Sequence, residues 1–237
     1  MIQGVTFDCW NTLIYVEDLE QVFKERVKRI QKVLQKAGHH YPQAEIADRA
    51  FTVYEIVRDR QYQQGLDFTP EEQVRELLRI LKVPASDPCF SEVFTTYTGA
   101  VLDAPPKLVD GAQEVLAELA PHFQIGLICN TGTTPGRILR PLIEKFHLAH
   151  FFKVQTFSDE ELIAKPNTQI FQRTLERLGL SAEVSVHIGD DPLTDIAGAR
   201  KARMKTIWFN PGHKEESPVC TWQVSSLRQV PSLLLSV

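Results

Sequence analysis

The sequence predicts an α/β protein: a doubly wound, mostly parallel sheet with a four-helix segment inserted after its first strand. Two observations carry this reading. From about residue 103 onward, short apolar runs alternate with segments of helical period, the pattern of a parallel sheet covered on both faces. Between about residues 18 and 101 the strand-like runs disappear, and apolar residues recur at helical spacing. The chain therefore divides into an α/β core at 1–16 and 103–237 and a helical cap at 17–102.

The first strand runs through Ile2, Val5 and Phe7 and ends at Asp8. Phe23, Val27, Ile30, Leu34 and Ala37 share one face of a first helix, broken at Gly38-His39-His40-Tyr41-Pro42. Ile46, Ala50, Val53 and Val57 repeat the spacing in a second. Thr69-Pro70-Glu71-Glu72 starts a third, with a hydroxyl cap, Pro at the first helical position and Glu at the third. Its apolar face is Val74, Leu77, Leu78 and Leu81, and Phe90, Val93, Phe94 and Tyr97 mark a fourth helix. Short loops make these four an antiparallel bundle. Inserted where they are, they read as a lid.

Beyond Pro105-Pro106, Asp110 is the expected cap of a helix over Val115, Leu116 and Leu119, and Phe123–Cys129 reads as a buried strand. Thr134-Pro135 is expected to cap a helix through Ile138, Leu142 and Ile143. Phe152–Phe157 then reads as a strand, Ile170–Leu178 as a helix and Val184–Ile188 as a strand. Asp191-Pro192 starts a helix through Ala199, with Asp191 as its N-cap, and Thr206–Phe209 is the last full strand. Ligands of such Rossmann-like sheets lie beyond the carboxyl ends of the strands, at the point where the strand order reverses. Asp8, Asn130, Lys165 and Asp190 are all expected at or just after a strand's C-terminal end.

Composition narrows the function. An apolar fraction of 43%, a charged fraction of 24% and 237 residues suit a soluble globular protein with a sizeable core. The net charge of −4, with no separate basic block, disfavours nucleic acid as the main partner. No apolar stretch approaches the roughly 20 residues that span a bilayer, and Met1-Ile2-Gln3 runs straight into a strand, so neither a membrane anchor nor a cleavable leader is expected. Cys9, Cys89, Cys129 and Cys220 are scattered, which favours a reduced, cytoplasmic protein over a disulfide scaffold or zinc site.

The chemistry sits in four short segments: Asp8-Cys9-Trp10-Asn11-Thr12-Leu13, Cys129-Asn130-Thr131, Lys165-Pro166, and Gly189-Asp190-Asp191-Pro192-Leu193-Thr194-Asp195. A carboxylate, a lysine and a carboxylate pair in one crevice bring together anionic oxygens and a hard cation, the chemistry of phosphoryl transfer through an aspartyl phosphate. Asp190 and Asp195, five residues apart across a strand-to-helix turn, can both point into it. In order and spacing these segments resemble the haloacid dehalogenase (HAD) superfamily of hydrolases, with a helical cap of the C1 type. The resemblance covers essentially the whole chain.

That resemblance implies a Mg2+-dependent phosphohydrolase acting on a small phosphorylated metabolite. It assigns Asp8 as nucleophile and Lys165 as the ammonium that stabilises transferring charge. It gives the metal to Asp8, the backbone carbonyl of Trp10, Asp190 and, directly or through water, Asp195. Thr12 supports the turn or reaches the phosphoryl oxygens. Cys129 falls where the superfamily has Ser or Thr. A thiol is the weaker donor, so Asn130 and Thr131 are the alternatives for holding phosphate. Trp10 stands where most of these phosphatases carry a second Asp, which protonates the leaving group and activates water. Its presence keeps two further readings open: a 2-haloacid dehalogenase, and a non-catalytic or regulatory protein of the same fold.

Overall fold

The computed structural model describes residues 1–84, 86–212 and 219–236. Strand β1 (Gly4–Phe7) leads into a tight turn and the short β2 (Ile14–Tyr15), after which come four helices: α1 (Leu19–Lys36), α2 (Gln43–Asp59), α3 (Pro70–Ile80) and α4 (Phe90–Gly99). The chain returns through β3 (Lys107–Leu108), antiparallel to β2, so the inserted helices enter and leave on a two-stranded ribbon. It continues as α5 (Ala112–Leu119), β4 (Gln124–Cys129), α6 (Gly136–Lys145), β5 (Val154–Phe157), α7 (Ser158–Glu161), α8 (Thr168–Leu178), β6 (Ser185–Gly189), α9 (Gly198–Lys201), β7 (Lys205–Phe209), β8 (Trp222–Val224) and α10 (Val230–Leu235).

The main sheet has the order β5-β4-β1-β6-β7-β8, and all its pairs are parallel. From β1 the chain builds outward through β4 and β5, then returns to β6 beside β1 and builds the other way. The order therefore reverses at the β1/β6 boundary, which opens a crevice at the carboxyl ends of those two strands. Alternation along the strands sends apolar side chains both ways. Val5, Phe7, Ile125, Leu127, Val186 and Ile188 pack with helices α5, α6 and α10, whereas Ile128 packs with Phe171 and Leu175 of α8 and Ala199 of α9. The helices α1–α4 bury a core of their own, built on Ile30, Leu34, Ile46, Val74, Leu77 and Val93.

Several local expectations change. Asp110 does not cap α5: the N-cap is Gly111 at φ +82°, and Asp110 instead receives the Arg228 guanidinium at 3.0 and 3.1 Å. Thr134 does not cap α6, whose first N–H, on Gly136, donates to Asp159 at 3.1 Å. The helix expected from Pro192 opens as a wide π turn, Pro192–Ala197, before α9. The strand β8 extends the sheet past Thr206–Phe209. A second π turn, Arg60–Gln64, extends α2 and ends at Gly65.

The capping box at Thr69 is present, with Glu72 N–H donating to the Thr69 hydroxyl and Thr69 N–H to the Glu72 carboxylate. Its loss in Thr69→Ala is expected to cost about 1 kcal/mol, and Leu77→Ala, which opens a cavity at a fully buried position, about 2–5 kcal/mol. Denaturant unfolding of the two variants checks the ranking; equal costs would mean that the inserted helices do not depend on a packed core.

Candidate active site

Parallel pairing of β1 with β6 carries one step past β1, with Asp8 N–H donating to Ile188 C=O at 2.8 Å. The chain then turns sharply. Cys9 C=O accepts from Leu13 and Ile14 N–H, and Asn11 adopts φ +58°, a conformation that asparagine tolerates better than most residues. The turn fixes Asp8 at the floor of the crevice, 6% exposed.

At the end of β6, Gly189 is required by space: a Cβ there would lie 2.3 Å from Asp195 Cγ. The Asp195 side chain folds back across this gap and accepts from Asp191 N–H at 3.0 Å and from Lys165 Nζ at 2.6 Å. Asp191 caps the following turn, accepting from Leu193 and Thr194 N–H, each at 2.8 Å, as its place before Pro192 predicts. Beneath Asp195 lies His187, fully buried, with Nε2 3.2 Å from Asp195 Oδ1 and Nδ1 2.9 Å from Thr6 Oγ1. Burial holds this imidazole below its ordinary pKa, and the neutral ring donates at Nε2 and accepts at Nδ1.

Lys165 is not at a strand end. It lies in the loop between α7 and α8, eight residues past β5, and other contacts hold it. The Asn130 side chain brackets it, accepting from Lys165 N–H and donating to Lys165 C=O, both at 2.9 Å. Its ammonium, 1% exposed, bridges Asp8 at 2.5 Å and Asp195 at 2.6 Å. Burial opposes this charge, yet Asp195 and Asp8 outweigh it and hold the pKa above the ordinary lysine range. Burial likewise disfavours ionised Asp195, but Lys165 and His187 keep that carboxyl below its usual range. The other two carboxyls are less well compensated. Burial pushes Asp8 up to about 7 against the pull of Lys165, and burial with the Asp8 charge pushes Asp190 up to about 8.

One oxygen each from Asp8, Asp190 and Asp195 lies within 4.8 Å of the others. Three carboxylates facing one ammonium leave an excess of negative charge, and an all-oxygen donor set suits a hard dication. The residues present therefore fit a divalent cation. Asp195 already spends both oxygens on Lys165, His187 and Asp191 N–H, which leaves Asp8 and Asp190 as the freer donors.

The expected phosphate-binding residues separate. Asn130 and Thr131 line the cavity, but the Asn130 amide is committed to Lys165, and Thr131 N–H donates to Ser158 Oγ at 2.9 Å. Cys129 is fully buried, its thiol pushed well up by burial and then by its neighbour Cys9, and Thr12 is fully buried with no hydrogen-bond partner for its hydroxyl. Neither lines the cavity. Trp10 does, and it also packs against the main core.

The cavity, of about 630 Å³, lies between the sheet and helices α1–α4. Of the residues that join the two, sequence reasoning offers Arg26 only as one of several helix cations that could face the crevice, and misses Gln73 and Tyr62. Arg26, buried beside Tyr97, donates to the Thr133 hydroxyl at 2.9 Å, and Gln73 Nε2 donates to Gly132 C=O at 2.9 Å. Tyr62 donates to Asp191 Oδ2 at 2.8 Å. Gly65 C=O accepts from Ala164 N–H at 3.0 Å and Asn167 Nδ2 at 3.3 Å, on either side of Lys165. A Cβ on Gly65, which sits at φ +63°, would come within 2.5 Å of Asn167 Cβ. Two signals were available: a glycine ending a helical run at Gln63-Gln64-Gly65, and a histidine inside the apolar run Val184–Ile188.

A model of the haloacid dehalogenase-like hydrolases matches residues 2–203, and the chain belongs to that family. Over 127 residues it is 35% identical to pyrimidine 5'-nucleotidase YjjG of Escherichia coli, covering 52% of this chain and 55% of that protein. It is 29% identical over 172 residues to glyceraldehyde 3-phosphate phosphatase of Methanopyrus kandleri, covering 63% and 71%. The chain spans about half the length of the curated relatives it matches first. Among solved structures, a 2-haloacid dehalogenase from Pseudomonas syringae superposes with a TM-score of 0.73 at 22% identity, covering 100% of this chain and 99% of that one. The magnesium-bound HAD hydrolase YfnB of Bacillus subtilis superposes with a TM-score of 0.66 at 21% identity, covering 98% of each. These likenesses show the shared fold. No helix among the described residues is long and apolar enough to cross a membrane.

Asp67 ties the inserted helices to the sheet. It accepts from Gln61 Nε2 at 2.9 Å and Phe68 N–H at 2.8 Å, and makes a short contact with the Ser158 hydroxyl. Burial pushes its carboxyl above the ordinary range despite these bonds. A carboxyl raised by folding holds a proton that the unfolded chain has lost, so its contribution to stability is complete below 3.8 and falls as pH rises through the folded value. Asp67→Asn should flatten the pH dependence of unfolding free energy above pH 3.8. An unchanged slope in denaturation series across that range would show that Asp67 carries none of it.

Proposed function

We propose that the protein is a Mg2+-dependent phosphohydrolase that cleaves small phosphorylated metabolites through an aspartyl phosphate on Asp8. The observation that carries this reading is the Lys165 ammonium held between Asp8 and Asp195, with Asp190 beside them. An Asp8 oxygen attacks phosphorus, the bond from phosphorus to the leaving-group oxygen breaks, and that oxygen takes up a proton from solvent. Water then attacks the phosphorus of phospho-Asp8 and gives up a proton to solvent, the bond from phosphorus to the Asp8 oxygen breaks, and phosphate departs with the aspartate restored. Lys165 lowers the repulsion between the carboxylate and the incoming anion and stabilises charge on the transferring group. Asp195 and Asn130 position Lys165 by its ammonium and its backbone. Asp8, Asp190 and the Trp10 carbonyl would hold the cation, with Asp195 behind them, and a cation bound there would supply Lewis-acid neutralisation of the phosphoryl oxygens. The helices of 17–102 act as a cap over this crevice, held to the loop that follows β4 by Arg26 and Gln73. Phosphatase relatives and a magnesium-bound family member support the same reading.

Trp10 favours a second reading, metal-independent dehalogenation with Asp8 displacing halide. The clustered Asp190 and Asp195 favour the first.

Asp8→Asn should abolish hydrolysis of aryl phosphates while leaving the melting temperature near that of the wild type. Asp190→Asn should weaken Mg2+ binding and turnover together, and Lys165→Ala should lower kcat more than it changes KM. Asp191→Asn, by contrast, should act mainly on stability, through the capped turn. Calorimetric Mg2+ titrations alongside steady-state kinetics test the set: equal Mg2+ affinity in the Asp190 and Asp191 variants would dismiss the ligand assignment, and turnover by Asp8→Asn the covalent mechanism.

With an indole in place of a general acid, worth roughly 10²–10⁴-fold where present, turnover should depend steeply on leaving-group acidity. Trp10→Asp should flatten that dependence. A leaving-group series on both proteins decides it, and a wild type indifferent to leaving group would mean that another residue supplies the proton.

A further inference from the structure

The cavity has two chemically different ends. Its floor is Asp8, Lys165, Asp190 and Asp195. On the helical side α1 lines it with Leu19, Val22 and Phe23 and α2 with Ala50, Phe51, Tyr54 and Val57, an apolar wall edged by Glu20, Arg26 and Arg58, and Trp10 also lines it. Phe51 is 50% exposed, Tyr54 46% and Leu19 69%. Among the described residues Phe51 and Tyr54 are the exposed aromatic side chains, and both stand at this mouth. One helical turn apart, their rings lie 6.0 Å between centroids at an interplanar angle of 33°, and the Arg58 guanidinium sits 6.0 Å over the Tyr54 ring. Leaving such side chains in water is unfavourable unless something apolar covers them. The wall is continuous with the site, so what covers it is the part of the substrate that projects away from phosphorus.

From this two-ended cavity we infer that the substrates are phosphate monoesters whose leaving group carries an aromatic ring, seated against Phe51 and Tyr54. The inference rests on the phosphohydrolase reading and names its substrate class. The wall and Trp10 point the same way. An aryl oxide needs less help from an acid than an alkoxide does, a phenol having a pKa of about 10, and the position that would supply such help holds an indole. An aromatic pair adds roughly 0.5–1.5 kcal/mol beyond the area it buries, so ring contact and leaving-group acidity contribute separately.

Four substrates separate the two effects: phenyl phosphate (ring, acidic leaving group), benzyl phosphate (ring, basic), acetyl phosphate (no ring, acidic) and methyl phosphate (no ring, basic). With Mg2+ present, the ring should lower KM about tenfold within each acidity class. Phe51→Ser/Tyr54→Ser should raise KM for phenyl and benzyl phosphate by that factor, with kcat unchanged and with acetyl and methyl phosphate unaffected. Both positions are exposed, so the variant should melt as the wild type does. Binding of phenylphosphonate and methylphosphonate by calorimetry gives a readout that does not require turnover. If phenylphosphonate binds more tightly in the wild type, and the advantage is lost in the variant, the ring site stands even where none of the four esters is hydrolysed; that result would overturn only the phosphohydrolase reading. Equal affinity for the two phosphonates, or a variant whose KM values match the wild type for all four esters, overturns the inference. So does a variant changed only in oligomeric state, which would make the aromatic pair a contact between copies.

Discussion

A single buried ammonium organises this molecule. Lys165 reaches the crevice from a loop, yet it joins the end of β1, through Asp8, to the turn after β6, through Asp195. Burying charge is costly, and a buried ion pair seldom adds net stability over a well-packed apolar substitute. What the arrangement secures is position. The bracket from Asn130 fixes the lysine backbone to the end of β4, and His187 braces the far side of Asp195 from inside β6. Three neighbouring strands thus converge on one charge, and the two carboxyls it satisfies least, Asp8 and Asp190, are the ones left to meet a cation.

The sheet itself depends on simpler forces. The buried residues of β1, β4 and β6 alternate between two helix-covered faces, one lined by Val5, Phe7, Ile125, Leu127, Val186 and Ile188 and the other by Ile128 with the polar Thr6 and His187, and the parallel order places every strand's carboxyl end on one side. The polar exceptions within this core are informative. Thr6 and His187 occupy neighbouring register positions on β1 and β6, and their side chains meet beneath the site, with the Phe171 ring edge-on to the imidazole at 5.1 Å.

Much of this was legible in the sequence, because period and punctuation are local properties. The helices at 19–36, 43–59, 70–80 and 90–99 follow from apolar spacing, and the Thr69 box and the Asp191 cap follow from single turns of chain. What was not legible depends on distant partners. Asp110 looks like a cap until Arg228 claims it from more than a hundred residues away. Lys165 looks like a strand-end residue until the short helix Ser158–Glu161 intervenes. At the site, the positions of Asp8, Asp190 and Asp195 followed from motif spacing. Cys129, Thr12 and Asn130 could not be sorted the same way, because a phosphate-facing side chain and one spent on bracing its neighbour have the same sequence. Gln73 and Tyr62 were hidden, and Arg26 could not be singled out from its neighbouring cations, for a similar reason: on a helix, nothing local distinguishes a solvated polar residue from one that reaches across an interface.

The glycine that ends the second π turn has a mechanical consequence. Gly65 belongs to the inserted helices, but its carbonyl holds the backbone at Ala164 and the side chain of Asn167, the residues flanking Lys165. Any rigid displacement of the helical layer away from the sheet must break these bonds or drag the lysine loop with it. The segment that carries the lysine is thus held from both sides, by the Asn130 bracket below and by the Gly65 carbonyl above.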